Sequence, residues 1–166
     1  MLMKKTVLVF GVIGGVVINA IFYLTLPFHH ELQNLGIGEV IGYASMVVAL
    51  SFIFFGIKSY RDNQLGGTIS FGKAFQVGIL IALVASLLYA IGWEVYLVTV
   101  APDFMADYAA QVIAKAQAAG KTAAELQAIT DRMNHAQEMY RNPIVRFGMT
   151  FSEIFPVGIV ITLARP

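Results

Sequence analysis

Cysteine is absent from this chain, which excludes disulfides and thiolate metal sites and leaves the redox compartment unmarked. Charge is scarce too. Asp, Glu, Lys and Arg make up 13% of the 166 residues against 58% hydrophobic, where a soluble domain carries about a quarter charged residues. A water-soluble fold could not cover that much apolar surface. The net charge is +1 and no block of Lys and Arg stands out, which excludes the electrostatic footprint of a nucleic-acid binder. No Asn-x-Ser/Thr sequon occurs. No nucleophile, base and orienting group stand in a recognisable set, so the expectation is a protein that is not an enzyme and needs no cofactor.

The apolar residues come in uninterrupted runs. About 20 are needed to cross the hydrocarbon core as a helix, and Thr6 to Leu26 supplies 21 without a charge. Further spans are expected at 40–57, 75–100 and 144–163, the third containing Glu94 and the fourth Arg146, Glu153 and Pro156. The first run follows Lys4 and Lys5 but is longer than a signal-peptide core and lacks an Ala-x-Ala-like site, so it is read as a retained helix. The fold class expected is all-α: a four-pass transmembrane bundle forming a single integral membrane domain over 1–166.

Orientation follows the basic residues of the short connections. Lys4 and Lys5 precede span one, Lys58, Arg61 and Lys73 lie between spans two and three, and Arg165 follows span four, whereas Pro27 to Glu39 has no Lys or Arg. Both termini are therefore expected in the cytoplasm. The segment 101–143 would stand outside. Its Ala, Gln, Lys, Glu and Met content favours two helices broken near Gly120 and stopped by Pro143, an extracytoplasmic helical hairpin. Thr122 and Glu125 have the spacing of a capping box. Leu126, Ile129, Met133, Ala136, Met139 and Tyr140 then form one apolar face, which can pack on the first outer helix, on the membrane surface or on an envelope protein.

Within the spans, small residues recur every four positions, the pattern that lets helix backbones approach closely in lipid. Span three has Gly78, Ala82, Ser86 and Ala90 and ends the series at Glu94; span one has Gly11, Gly15 and Asn19. Either small-residue face could support a homo-oligomer. Span four places Arg146, Thr150 and Glu153 on one face. At about 1.5 Å per residue, Asn19 and Glu94 lie roughly 10 and 9 Å inside the outer boundary, bracketed by Arg146 at roughly 3 Å and Glu153 at roughly 14 Å. The expected intramembrane polar cluster is thus Asn19, Glu94, Arg146, Thr150 and Glu153, with Glu94 paired to Arg146. Three readings stay open: a buried clamp that fixes helix register, a pathway for a small solute, ion or proton along Glu94 and Glu153, and interfacial side chains that snorkel.

Two other patterns carry little. Gly67, Gly72 and Lys73 match the spacing of a phosphate-binding loop, but Ala74 stands where Ser or Thr would hold magnesium. An interfacial segment anchored by Phe71 and Phe75, with Lys73 in the cytoplasm, fits better. His29, His30 and Glu31, with His135 elsewhere, cannot converge unaided, since consecutive helical residues point about 100° apart. No metal is expected. Trp93, Tyr96 and Tyr23 read as an aromatic belt.

Several motifs taken in order resemble one family across nearly the whole chain: Ile69-Ser-Phe-Gly-Lys-Ala-Phe75, Pro102-Asp-Phe104, Tyr140 with Asn142-Pro143, and Thr150-Phe-Ser-Glu-Ile-Phe-Pro-Val-Gly158. That family is the bacterial membrane family catalogued as domain of unknown function 4199. The resemblance implies a four-helix bacterial membrane protein with a helical outer insertion, and supplies no catalytic residues. Members usually continue the last helix into a basic tail, whereas this sequence stops at Ala164-Arg-Pro166. The functional expectation is a scaffold or partner-binding protein of the bacterial inner membrane, embedded in the lipid bilayer; the alternative is a small transporter or channel component.

Overall fold

The computed structural model describes residues 2–28 and 37–163, apart from the side chains of Leu2 and Glu39. His29, His30 and Glu31 lie outside the described residues, as does Arg165. Among the described residues there are seven α-helices and no strand: α1 (Leu2–Thr25), α2 (Gly38–Leu50), α3 (Phe52–Gln64), α4 (Phe71–Thr99), α5 (Phe104–Ala118), α6 (Ala123–Arg141) and α7 (Pro143–Leu163). Four stretches are helical, long and apolar enough to cross a membrane: Met3–Phe28, Val40–Gln64, Phe71–Thr99 and Pro143–Leu163.

The second span is longer than its apolar run. The uninterrupted apolar run stops at Ile57, but the helix continues to Gln64, helped by Lys58, Arg61 and Gln64, which favour helix, and by Tyr60, which is buried in the core. Termination comes from Gly66 and Gly67, whose φ angles of 66° and 95° suit glycine, while the Leu65 and Gly67 amides both return to the Arg61 carbonyl. The same span is interrupted once. The Ser51 hydroxyl donates to the Val48 carbonyl at 2.6 Å, competing with the backbone ladder and dividing α2 from α3.

The contacts divide the chain into two compact units, residues 1–92 with 151–166 and residues 93–150. In the first unit α1 packs on α2 and α3, around a core that includes Ile18, Leu50, Ile53, Ile57, Ile81 and Ile154. The small residues of α1 let α4 come close. A Cβ added at Gly11 would sit 2.6 Å from the Val84 Cβ, and one at Gly15 would sit 2.6 Å from the Leu88 Cβ. On α4, a Cβ at Gly78 would meet the Thr162 methyl at 2.5 Å, Ala82 abuts Gly158 of α7, and Ser86 and Ala90 are fully buried. Both small-residue faces are therefore filled within the chain.

In the second unit α5 and α6 pack together. The expected break falls at Gly120, with φ 70°. The Thr122 hydroxyl accepts from the Glu125 amide and the Glu125 carboxylate accepts from the Thr122 amide, completing the capping box. Asn142 and Pro143 then start α7: the Asn142 Oδ1 accepts from the Ile144 amide at 3.0 Å, and Pro143 takes the first helical position, where no amide hydrogen is needed.

Overpacking should be felt at Gly15 and not at Gly42, whose Cβ would meet nothing within 4 Å. Gly15→Val is expected to cost about 1–3 kcal/mol in micellar unfolding, while Gly42→Ala should be neutral or slightly stabilising; equal effects would contradict the packing described. The hydrogen bonds from Lys121 and Thr122 hold the Glu125 carboxyl at about 2, well below the usual carboxylate range. A lowered pKa means that the cap's contribution is complete above the usual range and is lost as pH falls through about 2. The Glu125 carboxyl carbon should titrate there by NMR, and Thr122→Ala should move the midpoint upward.

Candidate functional site

The charged centre lies wholly within residues 93–150. Glu94 sits near the end of α4, five residues before Thr99, and Arg146 lies in the first turn of α7. The Arg146 Nε donates to the Glu94 Oε1 at 2.7 Å, and its Nη2 donates to the Glu94 Oε2. This is the two-pronged arrangement that a planar guanidinium forms with a carboxylate, stronger and more directional than a lysine contact. Both side chains are largely buried, at 16% exposure for Arg146 and 21% for Glu94.

Arg146 has a third contact. Its Nη1 donates to the Tyr140 carbonyl at 3.2 Å, one of the last carbonyls of α6 and hence without an amide partner in its own helix. One guanidinium therefore ties α4, α6 and α7 together. The Arg146 Cζ also lies 5.7 Å from the Tyr140 ring centroid, within cation–π range. The Trp93 indole donates to the Tyr140 hydroxyl at 2.8 Å. Trp93 meets Phe104 edge to face at 5.2 Å, and Phe104 stacks on Tyr108 at 6.4 Å. Trp93, read from sequence as a belt residue, has its indole N–H tied to Tyr140.

Beside the pair, a cleft of about 200 Å³ is lined by Leu97, Pro102, Asp103, Phe104, Gln137, Tyr140, Arg141 and Arg146. The sequence reading placed none of Phe104, Tyr140 and Arg141 in the site. A signal was present: Pro102-Asp-Phe104 and Tyr140 belong to the motifs that carry the family resemblance, and they converge here from the start of α5 and the end of α6.

Of the five residues expected to cluster, the structure joins Glu94 to Arg146. Thr150 is buried and donates to the Arg146 carbonyl at 3.1 Å, a bond within its own helix. Asn19 and Glu153 belong to the other unit. Asn19 is a helix-to-helix tie: its Nδ2 donates to the carbonyls of Gly15 at 2.8 Å and Leu88 at 3.1 Å. Its amide oxygen occupies the space a side chain at Gly92 would need. Glu153 is exposed on α7, and among the described residues it has no hydrogen-bond or ion-pair partner. The glycine-rich run before Lys73 follows a helix rather than a strand, and Lys73 donates to Gln76 at 3.1 Å, which is not the architecture of a phosphate loop.

Removing one member of a buried pair strands the other charge. Glu94→Gln and Arg146→Gln are each expected to lower unfolding stability by about 1–4 kcal/mol, and the double variant by less than their sum. Strict additivity in that cycle would show that the two side chains are not coupled.

Comparison with known proteins places this geometry in context. The model of a family described as "Protein of unknown function (DUF4199)" matches residues 9–164. No match is found among curated proteins or solved structures. With the match running over nearly its whole length, the chain belongs to the DUF4199 family of proteins of unknown function.

Proposed function

We propose that this protein is a non-enzymatic scaffold of the bacterial inner membrane. On this reading it is threaded four times with both termini in the cytoplasm, and it presents the segment 101–143 on the outer side to a protein partner of the envelope. The observation that supports a scaffold best is the closed Glu94–Arg146 pair. Both carboxylate oxygens are held by one guanidinium, which is itself anchored to the Tyr140 carbonyl. A carboxylate that relays protons or ions must release its partner in each cycle; this one is the fastening of three helices. The apolar face of α6 that sequence offered to a partner is half-buried and α6 packs on α5. A partner would therefore read the exposed polar faces of α5 and α6 and the rim of the cleft at Asp103 and Arg141.

The membrane orientation rests on charge. Lys4, Lys5, Lys58, Arg61 and Lys73 all fall at helix ends assigned to one side, and short basic connections stay in the cytoplasm.

The absence of cysteine makes a direct test simple. Ala128→Cys on the exposed side of α6 should react with an impermeant maleimide in intact spheroplasts, and Asn63→Cys only after lysis; the reverse pattern would invert the topology. In proteoliposomes carrying a pH-sensitive dye, the wild-type chain should add no proton flux over empty vesicles. Flux that disappears in a folded Glu94→Gln variant would replace the scaffold reading with transport.

A further inference from the structure

Glu153 stands ten residues from either end of α7, about 15 Å from each at the helical rise. It is therefore the deepest charge in the spans. It is also exposed. Ionisable side chains at such depth almost always face a protein interior or a watery cavity and find a partner, because hydrocarbon offers a carboxylate neither hydrogen bonds nor counter-charge. Within α7 it finds none: of the residues one turn away, Met149, Pro156 and Val157 have no side-chain donor, and the Thr150 hydroxyl donates to the Arg146 carbonyl instead. Exposed positions Ser152, Pro156, Val160 and Leu163 continue beside it at spacings of four, four and three, the repeat by which one helix seats another.

We propose that this face of α7 receives a transmembrane helix of another membrane protein that carries a lysine or arginine at mid-depth. Charge complementarity selects that occupant. Within the apolar runs of this chain the cation is Arg146, and it is committed to Glu94; Lys4, Lys5, Lys58, Arg61 and Lys73 sit at the ends. A second copy would thus bring no spare cation to this depth, and two-fold pairing of the face would set Glu153 against its own equivalent, like charge on like. A helix with a basic residue satisfies the carboxylate and covers the stripe together. The inference deepens the partner-binding reading and rests on it, adding a membrane-embedded partner to the outer platform.

The test uses the full chain, fluorescently labelled, in phosphatidylcholine vesicles with synthetic leucine-rich transmembrane peptides bearing a central lysine, a central glutamate or neither. Energy transfer should report about tenfold tighter association with the lysine peptide than with the all-leucine peptide, the size of an interhelical polar contact in lipid. Glu153→Gln should abolish that preference and Glu153→Asp retain part of it. Equal binding of the three peptides, or a lysine preference that survives Glu153→Gln, would overturn the proposal. So would self-association of the chain that depends on Glu153, which would make a second copy the occupant, or an infrared band of a neutral carboxyl assigned to Glu153 in lipid alone. The same vesicles report proton flux: a wild-type chain that shows neither a lysine preference nor flux defeats this inference and leaves the scaffold reading standing, whereas flux defeats the scaffold reading itself.

Discussion

Hydrocarbon supplies no hydrogen bonds, so each polar group that enters it has to be satisfied by the protein itself. That constraint organises most of the polar chemistry of the described spans; exceptions are the buried Ser86 hydroxyl and Asn19 amide oxygen, which have no hydrogen-bond partner, and the exposed Glu153. Hydroxyls of Ser45, Thr99, Thr150 and Thr162 turn back to the carbonyl four residues earlier in their own helices. Asn19 reaches two backbone carbonyls, one on α1 and one on α4. Arg146, the most expensive group of all, spends its donors on a carboxylate and on a helix-terminal carbonyl. Each solution removes a donor from lipid and, in the last two cases, joins one helix to another.

Apolar contact does the rest, and it works through small residues. Lipid tails are as apolar as leucine, so helices gain little by hiding side chains from them; close backbone approach and dispersion drive their association instead. Gly11 and Gly15 admit Val84 and Leu88, and Gly78 and Gly158 admit Thr162 and Ala82. The glycines that matter here are those whose missing Cβ is occupied by a neighbour's side chain.

In residues 93–150 the order is different. Aromatic rings, a capping box and the Glu94–Arg146 ion pair hold three helices and the start of a fourth, with Tyr140 contributing its carbonyl, its ring and its hydroxyl to three separate contacts. A carbonyl, a ring and a hydroxyl that share one residue are hard to loosen singly. The cleft beside them is lined by residues from this same set, Phe104, Tyr140 and Arg146.

Much of this was legible in the residues. The four apolar runs, the break at Gly120, the Thr122/Glu125 cap and the mutual need of Glu94 and Arg146 are local or compositional facts: run length sets a span, and a charge in lipid demands an opposite charge. What periodicity could not say was which partner each face would meet. The GxxxG stripe of α1 reads the same whether α4 or a second molecule fills it, and only the packing of α4 decides for the former. The depth count put Asn19 level with Glu94, yet depth is one coordinate of three; azimuth around the bundle assigned Asn19 to carbonyls on α1 and α4. The helical pattern of α6 marked Tyr140 as apolar without revealing that its carbonyl lies under a guanidinium six residues on. Sequence by itself determined what must be buried and what must be paired. Tertiary structure alone decided with whom, because that choice depends on helix rotation and approach, which no single helix encodes.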